Sequence, residues 1–170
     1  MITGAASADG GTINLISNSG SITESGVGAL STTGTLTTMS NGGQFLSGAN
    51  TIANFNSTNS GSGDVVLTNT ASPLNIIYVN QTGAGGNIAI ENTGAIRAGD
   101  VSPIEAKYGT ISLVAHSPIY IGSQGLKAQG DINLTAGSPG STSSEDKITV
   151  EGPVASTGSG RLIYINNVQR

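Results

Sequence analysis

The sequence predicts an all-β chain wound as a right-handed parallel β-helix of about seven coils, with repeats of about 21–23 residues. Two observations carry this. The first is a recurring five-residue shape, Gly-x-Ile-x-Leu or a close variant. It stands at Gly11 to Leu15, Gly63 to Leu67, Gly86 to Ile90, Gly109 to Leu113 and Gly130 to Leu134. Its first aliphatic falls at Val65, Ile88, Ile111 and Ile132, an almost constant step. Ile13 precedes Val65 by about two such steps and a small insertion. The second is composition. Glycine accounts for 26 of 170 residues, Ser, Thr and Asn fill most polar positions, and only 9% of residues are charged. Such a chain is rich in strand and turn formers and poor in helix formers.

Residues 1–10 are small and polar, a lead-in with little to bury. From Gly11, the alternation of Ile13 and Leu15 with Thr12 and Asn14 marks a half-buried strand. Asn18 to Gly20 is a turn and Ser21 to Thr23 a second short strand. Gly34 to Leu36 opens the next unit, with Leu36 one repeat step after Ile13. Residues 40–62 are the least regular. The distance from Leu36 to Leu67 exceeds one step by roughly eight residues, so this stretch is expected to be an insertion into one coil. The next three units each carry a first strand (Val65 to Leu67, Ile88 to Ile90, Ile111 to Leu113) and a second (Leu74 to Val79, Ala95 to Ala98, Pro118 to Ile121). Asn69 and Asn92 fall at one corner of successive coils, where stacked amides bond each other along the ladder. The unit from Gly130 is interrupted at 138–147 by a polar surface loop. Ile148 to Val150 then resumes the second strand, and Arg161 to Val168 gives a last one. Residues 1–170 read as a single β-helical domain and a fragment of a longer repeat protein, with Met1 an expression start.

Coils of this length stack about 4.8 Å apart. Ile13, Val65, Ile88, Ile111 and Ile132 are expected to form one interior column, and Leu15, Leu67, Ile90, Leu113 and Leu134 the next. No hexapeptide period supports the left-handed solenoid. A sandwich of hairpins would space its turns at about 8–12 residues without the longer recurrence.

The stretches Leu46 to Phe55, Gly63 to Thr70, Gly86 to Ile96 and Gly125 to Gly137 resemble filamentous-haemagglutinin-like adhesins, long bacterial proteins with a right-handed β-helical shaft exported by two-partner secretion. The resemblance implies a secreted protein of the bacterial cell surface. It carries no binding residue across, and the amino-terminal secretion domain of that family is not visible here.

A formal net charge of -4 argues against a nucleic-acid partner. No apolar run approaches the roughly 20 residues of a membrane-spanning helix, so no membrane insertion is expected. The start lacks the basic and apolar regions of a signal peptide. Catalysis, a metal and a cofactor are not expected. The chain has one histidine, His116, at a predicted solvent-facing corner, and no cysteine. Asp64 and Asp131 share a corner position but lie about three coils, or roughly 14 Å, apart, too far for a glycosidase pair. Gly61 to Asp64 matches half of a calcium-binding nonapeptide only once, and Thr35-x-Thr37 lacks the register an ice-binding face requires.

The candidate ligand-binding residues are Tyr78, Arg97 and Tyr120, expected to point outward from successive second strands as one stripe able to receive a glycan or a protein of host or bacterial surface. The function expected is therefore a structural and adhesive shaft segment. A β-helical polysaccharide lyase or hydrolase and a self-assembling filament subunit, joined end to end through uncapped coils, are the alternatives.

Overall fold

The computed structural model describes residues 1–138 and 146–168. Among them every regular element is a strand, and every strand pairing is parallel. The chain is a β-solenoid that visits three faces in each coil. The first face holds Ile13–Ser17, the later parts of Ala29–Ser40, Gln44–Asn59 and Leu74–Gln81, then Ile104–Ala106, Leu126–Ala128 and Val154–Ser156. The second holds Ile22–Thr23, the start of Gln44–Asn59, Val65–Asn69, Ile88–Asn92, Ile111–Ala115, Ile132–Ala136 and Ile163–Asn167. The third holds Ala5–Ser7, the starts of Ala29–Ser40 and Leu74–Gln81 with the middle of Gln44–Asn59 between them, then Ile96–Ala98, Ile119–Ile121 and Ile148–Val150. The rungs of each face are thus joined by about six turns among the described residues.

The recurring step is the register of the second face. Val65 pairs with Ile88, Ile88 with Ile111, and Ile111 with Ile132. All four are fully buried, as are Leu113 and Leu134, with Leu67 and Ile90 at 1% exposure. Each aliphatic packs on its counterpart in the next coil, so one column continues through the stack.

The glycine corners follow from the close approach of stacked backbones. A Cβ on Gly109 would run into the Gly86 carbonyl, and one on Gly86 would meet the Gly63 carbonyl at 2.6 Å. Gly63 itself has φ of 92°, a left-handed conformation that disfavours any side chain.

Two expectations are corrected. Ile13 and Leu15 do not join the Val65 and Leu67 columns; they pair with Leu36 and Thr38 on the first face. A three-faced coil has three corners, and a glycine followed by alternating aliphatics suits any of them. The true predecessor of Val65 is Gln44, and that of Gln44 is Ile22.

Residues 40–62 are not an insertion. Gln44–Asn59 is a continuous 16-residue strand that bends across all three faces and pairs with both flanking coils. Leu36 pairs with Phe55, a smaller step than that from Val65 to Ile88, so this coil is short rather than long. Its regularity is hidden because its inward residues are partly polar. Gln44, Asn50, Ser57 and Asn59 are all buried.

Coils also carry a third strand that the apolar pattern does not announce. Ile104-x-Ala106 and Leu126-x-Ala128 point in one large and one small side chain, too little to stand out. The expected loop at 138–147 falls largely at 139–145, outside the described residues. The coil that contains it is a long one: Ile119 to its partner Ile148 is a larger step than Ile96 to Ile119.

Two buried polar systems complete the interior. At the corner between the second and third faces, Asn69 Nδ2 donates to Asn92 Oδ1 at 3.0 Å, as the spacing predicts. Asn50 occupies the same corner one coil earlier, donating to Thr68 O at 3.1 Å and to Glu24 Oε2 at 3.1 Å. Between the first and second faces, Gln44 Oε1 accepts from Thr38 Oγ1 at 2.5 Å and Ser57 Oγ at 2.8 Å. There too, Asn59 Oδ1 accepts from Ser40 Oγ and the Gly43 amide. Buried groups so paired avoid the desolvation cost of an orphan.

Candidate functional site

The third face presents its second-position side chains outward, between the inward aliphatics. On two neighbouring rungs these are Arg97 and Tyr120, paired in register between Ile96–Ala98 and Ile119–Ile121. The Arg97 guanidinium carbon lies 4.4 Å from the centroid of the Tyr120 ring, a cation–π stack along the axis of the solenoid. Arg97 and Tyr120 are separated by one full repeat step, which is why the sequence brings them together.

Tyr78 does not belong to this row. The residue beside Arg97 on the preceding rung is Asn75. The strand Leu74–Gln81 turns from the third face to the first at Ile77, where the pairing shifts register, so Tyr78 pairs with Asn56 on the first face. There its hydroxyl accepts from Asn80 Nδ2 at 2.8 Å. Inward residues are Leu74, Ile76 and Val79, not Ile77. Asn75 precedes Arg97 by nearly the step that separates Arg97 from Tyr120 and pairs with it, whereas Tyr78 falls short of that step. That shortfall is the signal that separates them.

Two carboxylates that the pattern does not single out complete the cluster. Arg97 Nε sits 3.4 Å from Asp100 Oδ2, with side-chain exposures of 46% and 40%. A hydrogen bond to Glu151 is the leading cause that raises the Tyr120 phenol above its ordinary value. Desolvation and the negative charges of Glu151 and Asp100 add to it, and Arg97 opposes. Asp100 follows Arg97 by three residues in the corner, and Glu151 directly follows the next rung, Ile148–Val150. The resulting surface places one guanidinium, one phenol and two carboxylates together on a rigid sheet. It offers fixed donors and acceptors to a polar ligand.

The remaining candidates sit elsewhere. His116 is at an exposed corner as expected, its Nε2 2.9 Å from Glu91 Oε1. Asp64 and Asp131 share one corner row with Asn87 and Thr110, and each carboxylate accepts a backbone amide of the next coil. Asp64 Oδ1 takes Asn87 N at 2.8 Å, and Asp131 Oδ1 takes Leu162 N at 3.0 Å. Asn87 Oδ1 does the same for Thr110 N at 2.9 Å. This row staples coils. Thr35 and Thr37 lie beside Asn54 and Asn56, so the threonine pair does not recur. Among the described residues, no group of three or more His, Asp or Glu side chains is placed to hold a metal ion.

Comparison of this chain with models of known families, with curated proteins and with solved structures finds no match to any of the three.

Proposed function

We propose that this chain is a structural and adhesive segment of a secreted bacterial surface protein, a stiff shaft whose third face receives a glycan or protein ligand at Arg97 and Tyr120. The observation that carries the reading is the Arg97–Tyr120 stack flanked by Asp100 and Glu151. Stacking orders two side chains that would otherwise lose rotamer entropy on binding. The guanidinium edge donates and the two carboxylates accept, a pattern suited to a polyhydroxylated ligand. The solenoid supplies rigidity, since each inner rung is bonded to the rungs on either side. The haemagglutinin-like texture of the repeats supports the extracellular setting.

The test is a glycan array probed with the wild-type chain and with Arg97→Ala and Tyr120→Ala. Binding to one glycan class, lost in both variants while the melting temperature is retained, is the expected result. Binding that both variants keep would remove the site. Arg97 and Tyr120 point outward and close no core, so neither substitution opens a cavity.

A further inference from the structure

We infer that the ligand of the Arg97 and Tyr120 surface is a linear, uncharged polysaccharide that lies along the solenoid axis, held by Asn54 and Asn75 as well as by the stack. The inference rests on the adhesive reading. It adds the class of the ligand and the direction in which it runs.

The outward row that contains Arg97 and Tyr120 does not stop at them. Register carries it from Thr35 to Asn54, Asn75, Arg97, Tyr120 and Thr149, one residue per coil. Every member bears a polar group, and neighbours stand about 4.8 Å apart. That spacing is close to the length of one pyranose unit in an extended β-linked chain. A polymer laid along the axis therefore meets a new polar side chain with each sugar, whereas one crossing the rungs meets the row once.

The four central members are ordered before any ligand arrives. Asn54 Nδ2 donates to Gly34 O at 2.9 Å, and Asn75 Nδ2 donates to Asn54 Oδ1 at 3.1 Å. Arg97 is stacked on Tyr120. Asn75 accepts no hydrogen bond among the described residues, which leaves its carbonyl oxygen for a sugar hydroxyl. Groups fixed in this way cost little further ordering on binding. Beside Asn54, a groove of about 270 Å³ is lined by Ala53, Thr33, Thr51 and Ser72, so hydroxyl-bearing residues extend the polar track at that end.

Charge decides between polymers. Arg97 is the one cation of the row. Asp100 lies 3.4 Å from its Nε, and Glu151 stands beside Tyr120. One positive and two negative groups, in a chain of net charge -4, disfavour a sulfated or carboxylated polymer and leave an uncharged one unaffected.

The test is calorimetric titration of the wild-type chain with β-1,4-linked glucose, β-1,3-linked glucose and β-1,4-linked N-acetylglucosamine oligomers, from disaccharide to hexasaccharide. Affinity for one series should rise at least about tenfold from disaccharide to tetrasaccharide, the length that covers the four central rungs, and level off beyond it. Asn75→Ala should weaken tetrasaccharide binding about fivefold and leave the disaccharide unchanged. Its melting temperature should be retained, because Asn75 points outward between the buried Leu74 and Ile76. Chondroitin sulfate should neither bind nor compete. Binding that needs Arg97 and Tyr120 yet is equal at every length would overturn the axial inference and leave the adhesive reading standing. Capture of chondroitin sulfate, lost in Arg97→Ala, would overturn the uncharged class and again leave that reading. Binding of none of these probes would also overturn the inference, and the array with the Arg97 and Tyr120 variants would then decide the adhesive reading by itself.

Discussion

Asn69 and Asn92, one coil apart and both buried, are joined side chain to side chain, Asn69 Nδ2 donating to Asn92 Oδ1 at 3.0 Å. Each also binds the neighbouring backbone as a strand would. Asn69 exchanges bonds with Ile52 N and O, and Asn92 with Ala71 N and O. The chain turns sharply here and loses its backbone ladder, and the amides replace it. Asn92→Ala should therefore destabilise by about 2–4 kcal/mol, because Asn69 Nδ2 and the Ala71 amide lose their acceptor inside the protein. The next coil carries Ala115 at this position, so alanine fits and the cost is one of hydrogen bonds, not of shape. A shift in the urea midpoint worth under about 0.5 kcal/mol would show that the ladder is incidental.

Gly109→Ala should cost about 2 kcal/mol or more, since its Cβ would collide with the Gly86 carbonyl one coil away and the stacked backbones have no room to part. Gly4→Ala is the control. Nothing lies within 4 Å of its Cβ, and its φ is not positive, so it should change stability by less than about 0.5 kcal/mol. Equal thermal shifts in the two variants would contradict the steric account.

How far the sequence can be read depends on what the interior is made of. Where Val65, Ile88, Ile111 and Ile132 fill a column, the period is plain and the rungs fall as predicted. Where Gln44, Ser57 and Asn59 point inward, the same geometry reads as a polar loop, because alternation of polar with polar gives no signal. The binding row follows the same logic. Arg97 and Tyr120 keep the repeat step and are adjacent, whereas Tyr78 breaks it and lies on another face. Glu151 is not legible at all, for its place beside Tyr120 depends on how the long coil between Ile119 and Ile148 closes.

The Gln44 cluster predicts strong non-additivity. Gln44→Leu alone should cost about 2–3 kcal/mol, since Thr38 and Ser57 lose a buried acceptor. Adding Thr38→Val and Ser57→Ala should recover much of that loss. The position is sandwiched between Ile22 and Val65, and an apolar column would then run unbroken. Chemical unfolding of the single, double and triple variants measures the coupling. A triple variant less stable than the sum of its parts would mean that the cluster specifies the short coil in a way an apolar core cannot.

The Tyr120 phenol makes the last prediction, and its sign can be worked out. The neutral hydroxyl can offer its proton to the neighbouring Glu151 carboxylate, whereas an ionised phenolate would face the negative charges of Glu151 and Asp100. The folded chain therefore holds this proton more tightly than the unfolded chain. The stability it adds is whole below the ordinary phenol range and is lost as pH rises through the raised folded value. In a phenolate absorbance titration, the difference between wild type and Tyr120→Phe should appear at higher pH than for a free tyrosine. Glu151→Gln should bring it down, because it removes the leading cause of the rise. Arg97→Ala should move it up, because it removes the one charge that favours the phenolate. Opposite shifts in these two variants would confirm that all three side chains share one electrostatic cluster. Shifts of the same sign, or none, would dissolve it.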